Sequence, residues 1–282
     1  MILSAPPLTR DVLGVPVVEG PVPAPWDAAI MRDDAIWADH DRLLLDAEDA
    51  AVHVTADSVT FELRGSASRA EHDWLLYATA VRAVLSFRHR FNLHGTLVIS
   101  PGDRAVAVLG TSMAGKSTTT MELLRRGWRF ACDDIVEVSV GDGGVVAHPV
   151  ARPVHLSDAA ARMAGADPAV GQVLPGREKR AYVLEGDLTP RPLAGMVLLG
   201  ARAEGSVVET RRVEPLAAVP SIAASADRYG ILHLPEHRAA IVTWATAVCR
   251  AVPLWDLRRP AEGDSVAAVA DAVEELTGPL NG

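Results

Sequence analysis

Between Ile36 and Leu63 the chain alternates apolar and polar positions in short runs, IWADHDRLLLDA and then AVHVTADSVTFEL. A period of two puts every second side chain on one face, the mark of half-buried strands. The second run predicts two strands around a turn at Ala56–Asp57–Ser58. The period then changes. Over Glu71–Phe91 the residues Trp74, Leu75, Ala78, Val81 and Leu85 recur at helical spacing and predict a helix packed beside a sheet. Residues 1–27 hold Pro6–Pro7 and the run PVPAPW ending at Trp26, lack periodicity, and read as an extended lead-in. The organisation expected is a small β-rich N-terminal region ending in a helix over residues 1–90, then a larger unit over 91–282.

In the larger unit LHGTLVIS predicts a strand, Pro101–Gly102–Asp103 a turn, and Ala105–Leu109 a strand with no polar position, hence buried on both faces. Thr118–Arg126 reads as a helix stopped by Gly127, and Trp128–Cys132 as a strand running into Asp133–Asp134. Ile135–Val140 and Val145–Ala147 flank Gly141–Asp142–Gly143–Gly144, a strong hairpin signal. Gly165–Arg180, interrupted by two prolines and three glycines, reads as a surface loop. Ala181–Leu184 is a short strand. Met196–Leu199 and Val207–Arg211 predict a further hairpin around Glu204–Gly205–Ser206. His237–Val252 and Ser265–Leu276 read as amphipathic helices on either side of a strand at Leu254–Leu257. Strands mixed with helices and hairpins predict an α/β fold with a mixed sheet.

Composition narrows the function. Hydrophobic residues make up 49% of 282 positions and charged ones 22%, which gives a globular chain with ample core. The net charge of −9 has the wrong sign for a protein whose main partner is nucleic acid. No uninterrupted apolar stretch reaches the roughly 18–20 residues of a membrane span. MILSAPPLTRDVLG lacks a basic segment followed by an apolar one, so a cytoplasmic protein is expected. Cys132 and Cys249 lie far apart without metal-ligand spacing and read as buried thiols in a reducing compartment. The six tryptophans are scattered singly, as packing residues rather than a base-stacking platform.

GTSMAGKS at Gly110–Ser117 matches G-x-x-x-x-G-K-[ST] at every fixed position, between a buried strand and a helix. Gly110 and Gly115 allow a tight turn whose N–H groups point inward, and Thr111, Ser112, Met113 and Ala114 supply further amides to cradle phosphates. Lys116 adds a mobile cation, Ser117 a hydroxyl for magnesium, and Thr118 continues the first turn of the helix. The ligands implied are ATP and Mg2+. Asp133 and Asp134 follow Lys116 by 17 and 18 positions at the end of the next strand. A carboxylate there can hold magnesium or accept the proton of an attacking hydroxyl. Adjacent strand residues point to opposite faces, so both serve only if the strand ends at this point.

The run VAVLGTSMAGKSTTTMELLRRGWRFACDDIVEV resembles the catalytic core of HPr kinase/phosphorylase and its smaller relatives. Arg126–Gly127 and Asp133–Asp134 reproduce the spacing of that family's "RG" turn and acidic pair, and His94 in LHGTLV matches its upstream histidine. The resemblance is specific over about Leu93–Val138. It implies a P-loop kinase core of the HPr kinase C-terminal domain and PEP carboxykinase-like type. It further implies His94 and Asp133 acting on the attacking hydroxyl, and Asp134 with Ser117 on the metal. HPr kinases assemble as hexamers, so the resemblance leaves room for a homo-oligomer. Where the family has a glycine-rich signature tied to HPr recognition, this chain has HPVARPVHLSD, which argues against HPr as acceptor. In length, in an "LH" before the core and in an "LRRP" segment, here Leu257–Pro260, the chain is similar to short HPr-kinase-like enzymes. These include kinases of the C-terminal serine of lasso-peptide precursors.

The expectation is therefore a kinase acting on a serine-type hydroxyl of a peptide or small protein. The alternatives are a kinase of a free amino acid or other small hydroxyl metabolite, and a non-catalytic nucleotide-binding module. Arg177, Lys179 and Arg180 could reach over the transferred phosphate, Arg180 being the best anchored, by the strand that follows it. Arg152 reads as structurally paired with an acid, and Arg258–Arg259 as surface charge.

Overall fold

The structure, a computed structural model, describes residues 9–33, 35–66, 69–111, 114–173, 178–200, 205–226, 235–260 and 265–277. The N-terminal part is a seven-stranded sheet. It comprises β1 (Asp11–Val12), β2 (Val15–Glu19), β3 (Met31–Asp33), β4 (Ile36–Ala38), β5 (Arg42–Asp46), β6 (Ala50–Thr55) and β7 (Val59–Leu63), in the order β1-β2-β7-β6-β5-β4-β3. β6 and β7 form the hairpin that the alternation predicts. The lead-in is not merely extended: β2 joins the sheet edge in parallel with β7. A parallel partner so far along the chain leaves no local signal.

Helix α1 (Arg69–Phe87) packs on β6. The side chains of Trp74, Leu75 and Ala78 lie outside the described residues. Val81, Val84 and Leu85 are buried in a cluster that takes in Val52, Val54 and Phe61 of this sheet together with Ile135 and Val150 from farther along the chain. α1 thus faces both parts.

The second sheet has nine strands. They are β8 (Asn92–Leu93), β9 (Gly95–Ile99), β10 (Ala105–Leu109), β11 (Arg129–Cys132), β12 (Val136–Gly141), β13 (Gly144–Pro149), β17 (Arg191–Leu199), β18 (Glu209–Val213) and β19 (Leu254–Arg258). The main path runs β11-β9-β10-β17-β13-β12-β8, and β19 pairs with both β17 and β18. The sheet is mixed: β10 is antiparallel to β9 and parallel to β17. Helix α2 (Lys116–Arg125) and helix α6 (Val266–Thr277) cover one face. Helices α4 (Pro215–Ala226) and α5 (Pro235–Ala251) cover the other, with Ile222, Trp244 and Val248 in the core. A three-stranded sheet of β14 (Val154–Leu156), β16 (Arg180–Tyr182) and β15 (Gln172–Val173), with α3 (Asp158–Met163), packs Leu156 and Tyr182 against Met121 of α2.

Three expectations need correction. Gly165–Arg180 holds a 3-10 turn at Pro168–Val170 and strand β15, which gains its order from pairing with β16. The hairpin across Gly205 does not form, because β19 inserts between β17 and β18, parallel to one and antiparallel to the other. β17 is apolar along most of its length and needs a neighbour on each edge, and the neighbour comes from far along the chain. Helix α4 was not expected, since Pro220 sits inside it and small residues blur its period. Among the described residues no helix is long and apolar enough to cross a membrane.

One close approach fixes the end of β10. Gly95 lies opposite Leu109, and a Cβ there would sit 2.6 Å from the backbone oxygen of Val108. Backbone cannot rotate away as a side chain can. Gly95→Ala is expected to cost about 1–3 kcal/mol by overpacking, read as a lower urea midpoint at unchanged slope. An unaltered midpoint would contradict the approach.

Candidate functional site

Strand direction brings the loop, His94 and Asp133 to one edge of the second sheet. β10 ends at Leu109 and runs into Gly110–Ser117. β9 is antiparallel to it, so its start, and His94 just before, lie at the same edge. β11 is antiparallel to β9 in turn, so it ends there too and delivers Asp133. On the other side of β10, β17 and β19 run parallel to it and finish at the same level. Ligands of open α/β sheets bind at the carboxyl ends of parallel strands.

The loop has the backbone that a phosphate cradle needs. Gly110 has φ +146° and Gly115 φ +100°, in the left-handed region that glycine enters without steric cost. A Cβ on Gly110 would come within 3.0 Å of the Leu199 backbone oxygen. Lys116 Nζ donates to the carbonyl oxygens of Gly110 at 2.7 Å and Thr111 at 3.1 Å, folded back over the loop. Ala114 is buried, while Ser117 and Thr118 are half-buried in the first turn of α2. The N-cap is Gly115, which has no side chain to cap the leading amides of the helix. Ser112 and Met113 lie outside the described residues.

The two adjacent aspartates have different surroundings. The strand ends at Cys132, and Asp134 takes φ +69°, a turn that separates the two side chains. Asp133 Oδ1 accepts a hydrogen bond from Thr96 Oγ1 at 2.6 Å. Both oxygens of Asp134 are engaged. His94 Nδ1 lies 2.7 Å from Oδ1, Arg82 Nη2 lies 3.1 Å from Oδ2, and Arg152 Nη1 also pairs with Oδ2. Burial alone would raise the Asp134 carboxyl; the Arg152 guanidinium, the His94 hydrogen bond and Arg82 outweigh it and hold it well below the usual carboxylate range.

A histidine whose Nδ1 is held by a carboxylate presents Nε2 outward in a fixed orientation. The backbone N–H of His94 also donates to Ser225 Oγ on α4 at 2.9 Å. Between these elements lies a cavity of about 350 Å3, lined by His94, Gly110, Thr111, Ser221, Ile222 and Ser225 among others. It opens the histidine and the start of the loop onto one space.

Arg180 begins β16 on the small sheet and pairs with Asp158 Oδ1 at 3.6 Å. Arg177 lies outside the described residues. Arg152 pairs with an acid, as expected, and its guanidinium lies 5.4 Å from the Tyr77 ring centroid. Sequence reasoning missed Arg82. Its one visible signal is a lone charge inside the run AVRAVL, where a helix buried on every side leaves it no route to water. Both cysteines are free and buried; burial pushes the Cys132 thiol up to about 12 and the Cys249 thiol up to about 11.

Among the described residues no group of three or more His, Cys, Asp or Glu side chains gathers as a metal centre. The donor set at the loop instead fits a hard cation held largely by phosphate oxygens, as magnesium is in nucleotide sites.

No family model matches the chain. It is 42% identical over 65 residues to HPr kinase/phosphorylase of Treponema pallidum, alike in the Nichols strain and in a second strain, a stretch that covers 23% of this chain and 19% of each relative. The chain thus matches about a fifth of the length of these relatives. Among solved structures it is similar to the Hpr(Ser) kinase/phosphatase from Coxiella burnetii, at a TM-score of 0.34 and 8% identity over 66% of this chain and 89% of that one. Over those 65 residues the chain is HPr kinase-like.

The Asp134 cluster predicts a pH dependence. A carboxyl held below its unfolded value stabilises the fold above pH about 4, and that contribution is lost as the pH falls through the folded value. Asp134→Asn is expected to cost about 3–5 kcal/mol at neutral pH. Urea unfolding should show the gap to wild type narrowing below pH about 4; a gap constant down to pH about 3 would refute the pairing.

Proposed function

We propose that this chain is an ATP- and Mg2+-dependent kinase that transfers the γ-phosphate to a serine-type hydroxyl of a peptide or small protein. The observation that carries this is the convergence at one sheet edge of the phosphate loop, Asp133 and His94, with a cavity between loop and histidine. The 42% identity over 65 residues to HPr kinase/phosphorylase supports the reading.

Gly110–Thr118 hold the phosphates of the donor, and Lys116 exchanges its two carbonyl partners for them. Asp133 faces the acceptor. Its carboxylate takes the hydroxyl proton while the acceptor oxygen bonds to the γ-phosphorus, and the bond from that phosphorus to the departing ADP breaks. His94 stands beside it, and its Nε2 shares the proton. Ser117 offers the metal a hydroxyl, and bound magnesium would neutralise charge on the phosphates. The Asp134 carboxylate is engaged by His94, Arg82 and Arg152. It orients the histidine.

A second reading, phosphorylation of a free hydroxyl metabolite such as an amino acid, draws support from the cavity. Its volume of about 350 Å3 is at the small end of ligand pockets.

The test is incubation with ATP, Mg2+ and each acceptor class in turn, read by mass for a phosphate increment on serine peptides, small proteins or metabolites. Lys116→Ala and Asp133→Asn are each expected to slow turnover by about a hundredfold or more, with nucleotide still bound by Asp133→Asn. Unchanged turnover in Lys116→Ala would sink the phosphate-loop reading, and no gain in mass on any acceptor would sink the kinase.

A further inference from the structure

β19 ends at Arg258, and Arg259 follows it directly; their side chains part. Arg258 turns to Asp256, with Nε 3.0 Å from Oδ2, and is half-exposed. Arg259 turns the other way, onto the phosphate loop. A Cβ built on Gly115 would lie 2.6 Å from Arg259 Nη1 and 3.1 Å from its Cζ. The guanidinium therefore occupies the space that a side chain at Gly115 would need, next to the first turn of α2.

The backbone holds it there. The residue before a proline is confined to extended conformations, and Pro260 follows Arg259 directly and is buried. Leu257, two positions earlier, is buried in the same cluster as Ala114 of the loop and Val269 of α6. The reach of Arg259 is thus set by strand, proline and core together.

The side from which it approaches decides what it can touch. Asp133 and His94 reach the loop from β11 and β9, on one side of β10. Arg259 reaches it from β19, beyond β17, on the opposite side. The phosphate to be transferred must face the aspartate and histidine. A cation on the far side then meets the nucleoside-proximal phosphates, which stay with the product.

We propose that Arg259 binds the α- and β-phosphates of the donor nucleotide, so that it grips ATP and ADP alike and takes no part in the transfer itself. Its planar fork can hold two phosphate oxygens at once, which a lysine cannot. The inference rests on reading Gly110–Ser117 as a phosphate loop.

Calorimetric titration of Mg-ATP and Mg-ADP into wild type, Arg259→Gln, Arg259→Lys and Arg258→Gln separates the two. Absence of ATP binding by wild type would overturn the phosphate loop itself. With wild type binding, Arg259→Gln is expected to weaken both nucleotides by a similar factor of about ten to a hundred. Arg259→Lys should restore part of the loss, and Arg258→Gln should leave both affinities unchanged. At saturating ATP the turnover of Arg259→Gln should equal that of wild type, so that the effect falls on KM. Unchanged affinities in Arg259→Gln, a loss confined to ATP, or a fall in kcat at full saturation would each overturn the assignment. If Arg259→Gln fails to fold, Arg259→Lys decides by the same comparison.

Discussion

The carboxylate of Asp134 ties together three parts of the molecule that are remote in sequence. Arg82 comes from the helix that closes the N-terminal region, Arg152 from the segment after β13, and His94 from the start of β9. The side chains of Arg82 and Arg152 are 4% and 2% exposed. Taking such charges out of water is costly, and only close opposite charge with further hydrogen bonds offsets it. The cluster therefore constrains more than it stabilises. α1 can dock on the second sheet only in the position that brings Arg82 to Asp134. Tyr77 of the same helix lies beneath Arg152, and burial pushes its hydroxyl up to about 12.

That constraint reaches the candidate site through His94. With Nδ1 and backbone N–H both held, the ring has little freedom, and its outer nitrogen is fixed relative to the cavity. On the proposed reading, a histidine so positioned loses little entropy when an acceptor arrives. The N-terminal region, remote from the loop in sequence, thereby helps to set the orientation of His94 through Arg82 and Asp134. The positive φ of Asp134 serves the same end: it turns one carboxylate inward to the arginines and leaves its neighbour Asp133 at the sheet edge.

The edge itself has a direction. One flank of β10 carries the aspartate and the histidine; the other carries β17, β19 and Arg259, and the cavity beneath α4 spans both, from His94 to Leu198 and Leu254. On the proposed reading, a nucleotide seated in the loop would have an end for each flank. Glycine makes this crowding feasible at both ends of the loop's neighbourhood, Gly95 where β9 meets the backbone of β10 and Gly115 where the guanidinium comes in.

Much of this was written in local sequence. The strand β10 and the helix α2 on either side of the loop, α1, and the hairpins β6–β7 and β12–β13 follow from period, turn chemistry and spacing within about twenty residues. The partners of the charges were not legible. The pairs Arg82–Asp134 and Arg126–Asp271 span 52 and 145 positions, and the insertion of β19 between β17 and β18 replaces a hairpin that the sequence favoured. Local patterns determine which segments bury a face. Which face meets which other is decided by long-range pairing, and only that settles which of two neighbouring aspartates is spent on arginines and which of two neighbouring arginines turns to the phosphate loop.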